Sequence, residues 1–178
     1  YALSLATDEV IYIHPFDNAL LWAGISTLVD EVIAAGVTPD AVILSVGGGS
    51  LLSGIAQGLE KHHLSHIPIY AVETEGTASL NASVNAGKLV RLEKVSGIAT
   101  TLAASQVCEN AFNVASRLEV RSQVVSDAEA VRACRLLLDD HRVLTEPACG
   151  VSLSLLYDNK LRFTPSDNVL VIVCGGAS

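Results

Sequence analysis

The sequence predicts an α/β fold: an open, mostly parallel sheet with helices on both faces. Three observations carry that prediction. Short β-branched apolar runs alternate with longer amphipathic ones, the order in which strands and crossover helices follow one another in a parallel sheet. The best strand candidates are apolar throughout rather than alternating, as strands covered on both faces must be. The composition, 50% hydrophobic and 17% charged over 178 residues with a mean hydropathy of +0.44, falls below the usual charged share and suits one domain with a large core.

Taken in order, Val10–Ile13 reads as a strand and Leu20–Ala35 as a helix stopped by Gly36. Ala41–Val46 is a buried strand, and glycines lead from it into a helix over Leu51–Lys61. Ile69–Glu73 is a strand and Ser105–Arg117 a helix, followed by Val120–Val125, whose alternation marks an edge strand. Ser126 and Glu129 form the Ser-x-x-Glu capping box of a helix running to Asp140. Thr145 and Pro147 open another helix, where a cap and an early proline belong. Asn168–Cys174 is the last strand. Tyr1–Ala6 resembles the tail of a helix, and the chain runs off its last strand through Gly175, Gly176, Ala177 and Ser178. Residues 1–178 are therefore expected to be a single piece of a larger domain.

Charge excludes several classes of function. With a formal net charge of −8 and 11 scattered lysines and arginines, the chain has no basic stripe for nucleic acid or for an acidic membrane surface. The apolar run Val169–Cys174 is far shorter than the roughly 20 residues of a bilayer span, and Thr7, Asp8 and Glu9 interrupt any signal-peptide pattern. A soluble, cytoplasmic protein is expected. Cys108, Cys134, Cys149 and Cys174 form no C-x-x-C pair, so neither a disulfide framework nor a zinc site is expected.

Chemistry is to be sought at the carboxyl ends of the strands. The strongest local signal is the segment Ser45-Val46-Gly47-Gly48-Gly49-Ser50-Leu51-Leu52-Ser53-Gly54 between a strand and a helix. Its glycines let the backbone turn sharply, and with a helix N-terminus behind them they form a cradle for an anion such as phosphate. Three common motifs miss by one residue each. G-x-G-x-x-G from Gly47 would need glycine at Leu52, the P-loop spacing Gly49 to Gly54 is followed by Ile55, and G-x-S-x-G would need glycine at Leu52. The last strand ends in Cys174-Gly175-Gly176, suited to a planar group lying close to the backbone. Val72-Glu73-Thr74-Glu75-Gly76 places a carboxylate at another strand end. His62, His63 and His66 read as a wet surface cluster and Trp22 as core, whereas His14 and Asp17 could border the cleft or belong to an ordinary proline turn.

The segments VGGGSLLSG, VETEG and VIVCGG, with YIHPFDNALLWAG, AGKLVRLEKVSGIATTL and EPACGVSLSLLY, are colinear over nearly the whole chain. Together they resemble the pyridoxal-phosphate enzymes of the tryptophan-synthase-β fold (fold type II), and within them the L-serine and L-threonine dehydratases of amino-acid catabolism. The resemblance implies that Gly47, Gly48, Gly49, Ser50 and Leu51 hold the phosphate of pyridoxal 5′-phosphate; the family usually has a fourth glycine where Ser50 stands. It implies that Cys174 faces the pyridine nitrogen, where a thiol makes the ring a weaker electron sink than an aspartate would. It also implies a monovalent cation held by Glu73 with carbonyl oxygens near Thr77, Leu102 and Ala104, although Thr77, Ala103 and Ala104 depart from the family pattern.

The family's Schiff-base lysine lies in a Ser-Phe-Lys-type segment upstream of the phosphate loop, and neither that segment nor the small domain that closes over the cofactor is found in these residues. Lys61, Lys88, Lys94 and Lys160 match nothing of the kind. The implied activity is conversion of serine or threonine, a small hydroxyamino acid, to a 2-oxo acid and ammonia, with a homodimer as the common assembly; the 178 residues alone are expected to lack turnover. The alternatives are a non-catalytic anion- or partner-binding module, or another enzyme of this fold such as threonine synthase or a sulfhydrylase.

Overall fold

A computed structural model describes residues 2–7 and 9–176; the expectations that fall on Tyr1, Ala177 and Ser178 lie outside them. Helix α1 covers Ala19–Ala34, strand β1 Ala41–Ser45, α2 Ser50–Lys61, β2 Ile69–Thr74, α3 Ser79–Ala86, α4 Glu109–Arg117, β3 Val120–Val125, α5 Asp127–His141, α6 Pro147–Tyr157 and β4 Val169–Val171. The four strands are all parallel, in the order β3-β2-β1-β4. Strands β1, β2 and β3 step outward in one direction, and β4 returns to the other side of β1. The strand order therefore reverses between β1 and β4, which opens a crevice at their carboxyl ends.

Successive strand residues point to opposite faces, and the core divides accordingly. Val42, Leu44, Ile69 and Ala71 pack with Val29 of α1, Leu52 and Ile55 of α2, Leu80 of α3 and Val114 of α4. Ile43, Tyr70, Val72 and Val125 pack with Ala130 of α5 and with Val151 and Leu155 of α6. Both faces are thus covered, as uniformly apolar strands require. Among the described residues no helix is long and apolar enough to cross a membrane.

Local signals place most helix ends. The Asn18 side chain accepts from Leu20 N at α1, and both halves of the Ser126–Glu129 capping box are formed at α5. The glycine pair Gly54 and Gly58 on α2 lets α1 approach closely. A Cβ at Gly54 would stand 2.4 Å from the Ile25 side chain and 2.9 Å from the Trp22 carbonyl oxygen; one at Gly58 would stand 2.6 Å from Val29. Gly54→Ala is expected to cost about 2 kcal/mol through overpacking, read as a lower urea midpoint with an unchanged slope.

Five sequence expectations need correction. Val10–Ile13 is not a strand: Val10 bonds only back to Thr7, no strand among the described residues pairs with the run, and Ile11 is 84% exposed. An apolar β-branched run becomes a strand only if a neighbour accepts its ladder. The helix expected from Ser105 starts at Glu109, because Cys108 N donates to Gly48 O and holds the preceding residues against the glycine loop. The last strand pairs only over Val169–Val171 and leaves the sheet before Cys174. The N-cap of α6 is Glu146 rather than Thr145, whose buried hydroxyl finds no partner. Ala2–Leu5 forms a short 3-10 turn rather than an α-helical tail. Helix α3, rich in serine and asparagine, has no apolar periodicity to announce it.

Candidate functional site

At the crevice between β1 and β4 lies a cavity of about 350 Å³. Gly47, Gly48, Gly49, Ser50 and Leu51 form one wall, Cys174 and Glu146 another, and Phe16, Thr101 and Leu102 close the sides. The five loop residues and Cys174, 123 positions or more apart in sequence, meet because β1 and β4 are neighbours.

The loop is built for open donors. β1 ends with Val46 N donating to Val72 O, and the next backbone donor with a partner is Ser53, bonded to Gly49 O. Among the described residues, none of the N–H groups from Gly47 through Leu52 has an acceptor. Groups so exposed at a helix N-terminus, with the positive end of its dipole, are complementary to an anion. Gly49 makes the turn possible at φ +96°, and nothing larger than glycine fits at Gly48, where a Cβ would stand 2.1 Å from the Phe16 ring.

Opposite the loop, Thr101 Oγ1 donates to Glu146 Oε2 at 3.0 Å. Desolvation pushes the Cys174 thiol above its ordinary range, and Cys149 and the Glu146 carboxylate add to the effect. Cys174 therefore meets whatever lies in the cavity as a neutral thiol. All four cysteines are free.

Glu73 is placed elsewhere. Its side chain is completely buried, and Oε1 and Oε2 accept from Leu80 N and Asn81 N, each at 2.8 Å. It caps α3 from a neighbouring strand, in place of Ala78, which offers no side-chain bond. Thr77 is buried with its hydroxyl on Thr74 Oγ1 at 2.9 Å, and Ala104 N donates to Leu102 O. Of the four residues expected around a cation, only Leu102 lines the cavity.

The HPFDN turn contributes through residues that sequence reasoning did not single out. Phe16 and Pro15 line the cavity, whereas His14 and Asp17 face a separate hollow of about 250 Å³. His14 Nδ1 accepts from Phe16 N and Asp17 N, so the histidine shapes the turn that carries Phe16. Trp22 packs against the core and donates to Phe16 O at 3.0 Å. His62 pairs with Asp30 at the surface while His63 and His66 are exposed, and no metal-binding group of His, Cys, Asp and Glu side chains occurs among the described residues. Glu146 and Thr101 also went unrecognised as cavity residues. The EPACG and GIATTL segments were the available signal, but only folding shows that they face the loop.

A family model described as "Pyridoxal-phosphate dependent enzyme" matches residues 1–175. The chain is 42% identical over 189 residues to an L-serine dehydratase of Dictyostelium discoideum, covering 99% of this chain and 54% of that protein. It is 44% identical over 185 residues to a serine dehydratase-like protein of Rattus norvegicus, covering 98% and 56%. Among solved structures, a fungal L-serine ammonia-lyase from Rhizomucor miehei superposes with a TM-score of 0.92 at 38% identity, over 99% of this chain and 58% of that one. The chain thus spans about half the length of the curated relatives that it matches.

Proposed function

The chain belongs to the pyridoxal-phosphate dependent enzymes, and from that premise we propose that it forms the cofactor-holding part of an L-serine or L-threonine dehydratase. The observation that carries the proposal is the run of open N–H groups from Gly47 to Leu52 in a cavity whose far wall holds Cys174. The donors fit the cofactor's phosphate, and the cavity of about 350 Å³ lies within the range of small-ligand sites.

When bound, the cofactor's ring supplies an electron sink for elimination of a β-hydroxyl from the amino acid. This chain's residues do the rest of what the cavity shows. The loop amides orient the phosphate, and Phe16 excludes water beside it. Cys174 presents a neutral thiol that does not hold the ring nitrogen protonated. Such a weak sink suffices for losing a β-hydroxyl and disfavours transamination. No lysine lines the cavity among the described residues, so these groups bind and tune the cofactor without supplying an amine.

The same reading extends to a monovalent cation near Glu73, Thr77, Leu102 and Ala104. Each Glu73 oxygen accepts one backbone N–H and keeps a lone pair, and an all-oxygen donor set suits a hard cation. A cytoplasmic location is supported by the four free cysteines.

Titration of the purified protein with pyridoxal phosphate, followed by absorbance, tests the reading. Saturable binding that inorganic phosphate displaces is expected, and binding indifferent to phosphate would overturn the cradle. Release of 2-oxo acid and ammonia from serine or threonine by the full-length protein tests the reaction. Cofactor binding without such release would favour another enzyme of this fold or a binding module.

A further inference from the structure

β4 makes its last sheet bond where Ile172 N donates to Ile43 O at 2.9 Å. Cys174 lies two residues beyond, past the end of β4, which among the described residues forms an edge of the sheet. Its backbone needs other partners, because N–H groups that fold against protein must be satisfied. Those partners come from the first turn of α6. Cys174 N and Gly175 N both donate to Cys149 Sγ at 3.3 Å, and the Cys149 thiol lies 3.4 Å from Gly175 O, to which it donates. Glu146 N reaches the same carbonyl at 3.4 Å.

We propose that Cys149 is the positioning residue that sets Cys174 against the cofactor ring, by gathering the two amides of the Cys174-Gly175 turn onto one buried sulfur. The proposal rests on the reading of Cys174 as the ring-facing residue. Cys149 is 1% exposed and does not line the cavity, so it acts through Cys174 and touches no ligand. Its chemistry suits the task. One sulfur accepts from two adjacent amides and still donates its own proton. A serine hydroxyl sits on a shorter bond and needs its donors within about 3.2 Å, so the observed spacing favours sulfur. Gly175 completes the arrangement: a Cβ there would stand 2.9 Å from Glu146 Oε1.

The test is the rate at which Cys174 is alkylated by iodoacetamide in the purified protein, read by mass spectrometry of the Cys174 peptide. Three variants are compared with the parent: Cys149→Ala, Cys149→Ser and Cys134→Ser. Cys134 donates to Glu146 O on the same turn of α6, so its variant perturbs the helix without touching the Cys174 amides. The Cys174 thiol is exposed but held neutral, in part by Cys149. Cys149→Ala, which releases the turn, is therefore expected to speed Cys174 alkylation about fivefold or more as the thiol ionises more readily. Cys149→Ser should fall between it and the parent, and Cys134→Ser should match the parent. If Cys149→Ala does not fold, the comparison of Cys149→Ser with Cys134→Ser decides. Parent-like Cys174 rates in the Cys149 variants, or an equal acceleration in Cys134→Ser, would overturn the proposal. Alkylation needs no cofactor, so its outcome is separate from that of the pyridoxal-phosphate titration. Where the cofactor binds, an absorbance maximum shifted in Cys149→Ala but unshifted in Cys134→Ser is expected, and equal maxima would place the cofactor ring away from Cys174.

Discussion

Gly49→Ala is expected to abolish binding of pyridoxal phosphate and to lower stability by about 2–5 kcal/mol. Two costs add at this position. The backbone sits at φ +96°, in the left-handed region where an L side chain is strained. The new Cβ would also stand 2.5 Å from Ala111 Cβ, on α4, and 2.7 Å from Val107 Cγ2, just before it, both buried in the core. Relief requires either α4 or the loop to move, and a moved loop scatters the amides that face the cavity. Gly48→Ala separates the two effects. Its Cβ would collide with the Phe16 ring, a half-buried side chain at the cavity wall, so binding should fall with a smaller loss of stability, about 1–3 kcal/mol. Urea unfolding and cofactor titration of both variants provide the check. Parent-like binding by Gly49→Ala would mean that the loop amides do not hold the phosphate.

Glu73→Gln is expected to remove a pH dependence of stability that the parent shows between pH 4.5 and 7. Burial raises the Glu73 carboxyl from 4.5 to about 7, against the opposing pull of the Leu80, Asn81 and Ser79 amides. Within that window the folded chain binds more protons at this site than the unfolded chain. The contribution is therefore fully present below pH 4.5 and is lost as pH rises through about 7, about 3 kcal/mol in all. Glutamine cannot titrate, so the slope from this site should vanish in chemical denaturation across the window. It also offers one carbonyl oxygen where the carboxylate offered two, which leaves one α3 amide unpaired at about 1–3 kcal/mol. Repeating the series in potassium and in choline buffers tests the cation reading. A bound cation would stabilise the parent in potassium above pH 7 and would leave Glu73→Gln unaffected. Identical curves in the two buffers would leave Glu73 as a helix cap alone.

The legible parts of this chain were those written in local chemistry. The Ser126–Glu129 capping box, Pro147 at the start of α6 and the glycine loop after β1 need only neighbouring residues, and each formed where its pattern stood. α3 illustrates the opposite case. Its N-terminus is capped by Glu73, seven residues before Leu80, so no helix signal surrounds Ser79. Val10–Ile13 failed for a related reason, since strand propensity without a pairing partner leaves an extended segment in solvent. Phe16, Thr101 and Glu146 were out of reach as cavity residues because each belongs to a segment whose neighbours across the crevice are distant in sequence.

By itself, the sequence determined the fold class, the glycine turn from β1 into α2 and the family resemblance. Apolar periodicity and glycine backbone freedom act over a few residues and survive in any arrangement of the elements. Only the tertiary structure decided that β4 pairs with β1 rather than with β3. That single choice brings Cys174 and Glu146 opposite the loop and hands the Cys174 amides to Cys149. Parallel-strand pairing is set by which apolar faces can be covered together, a property of the whole packed molecule rather than of any short stretch of chain.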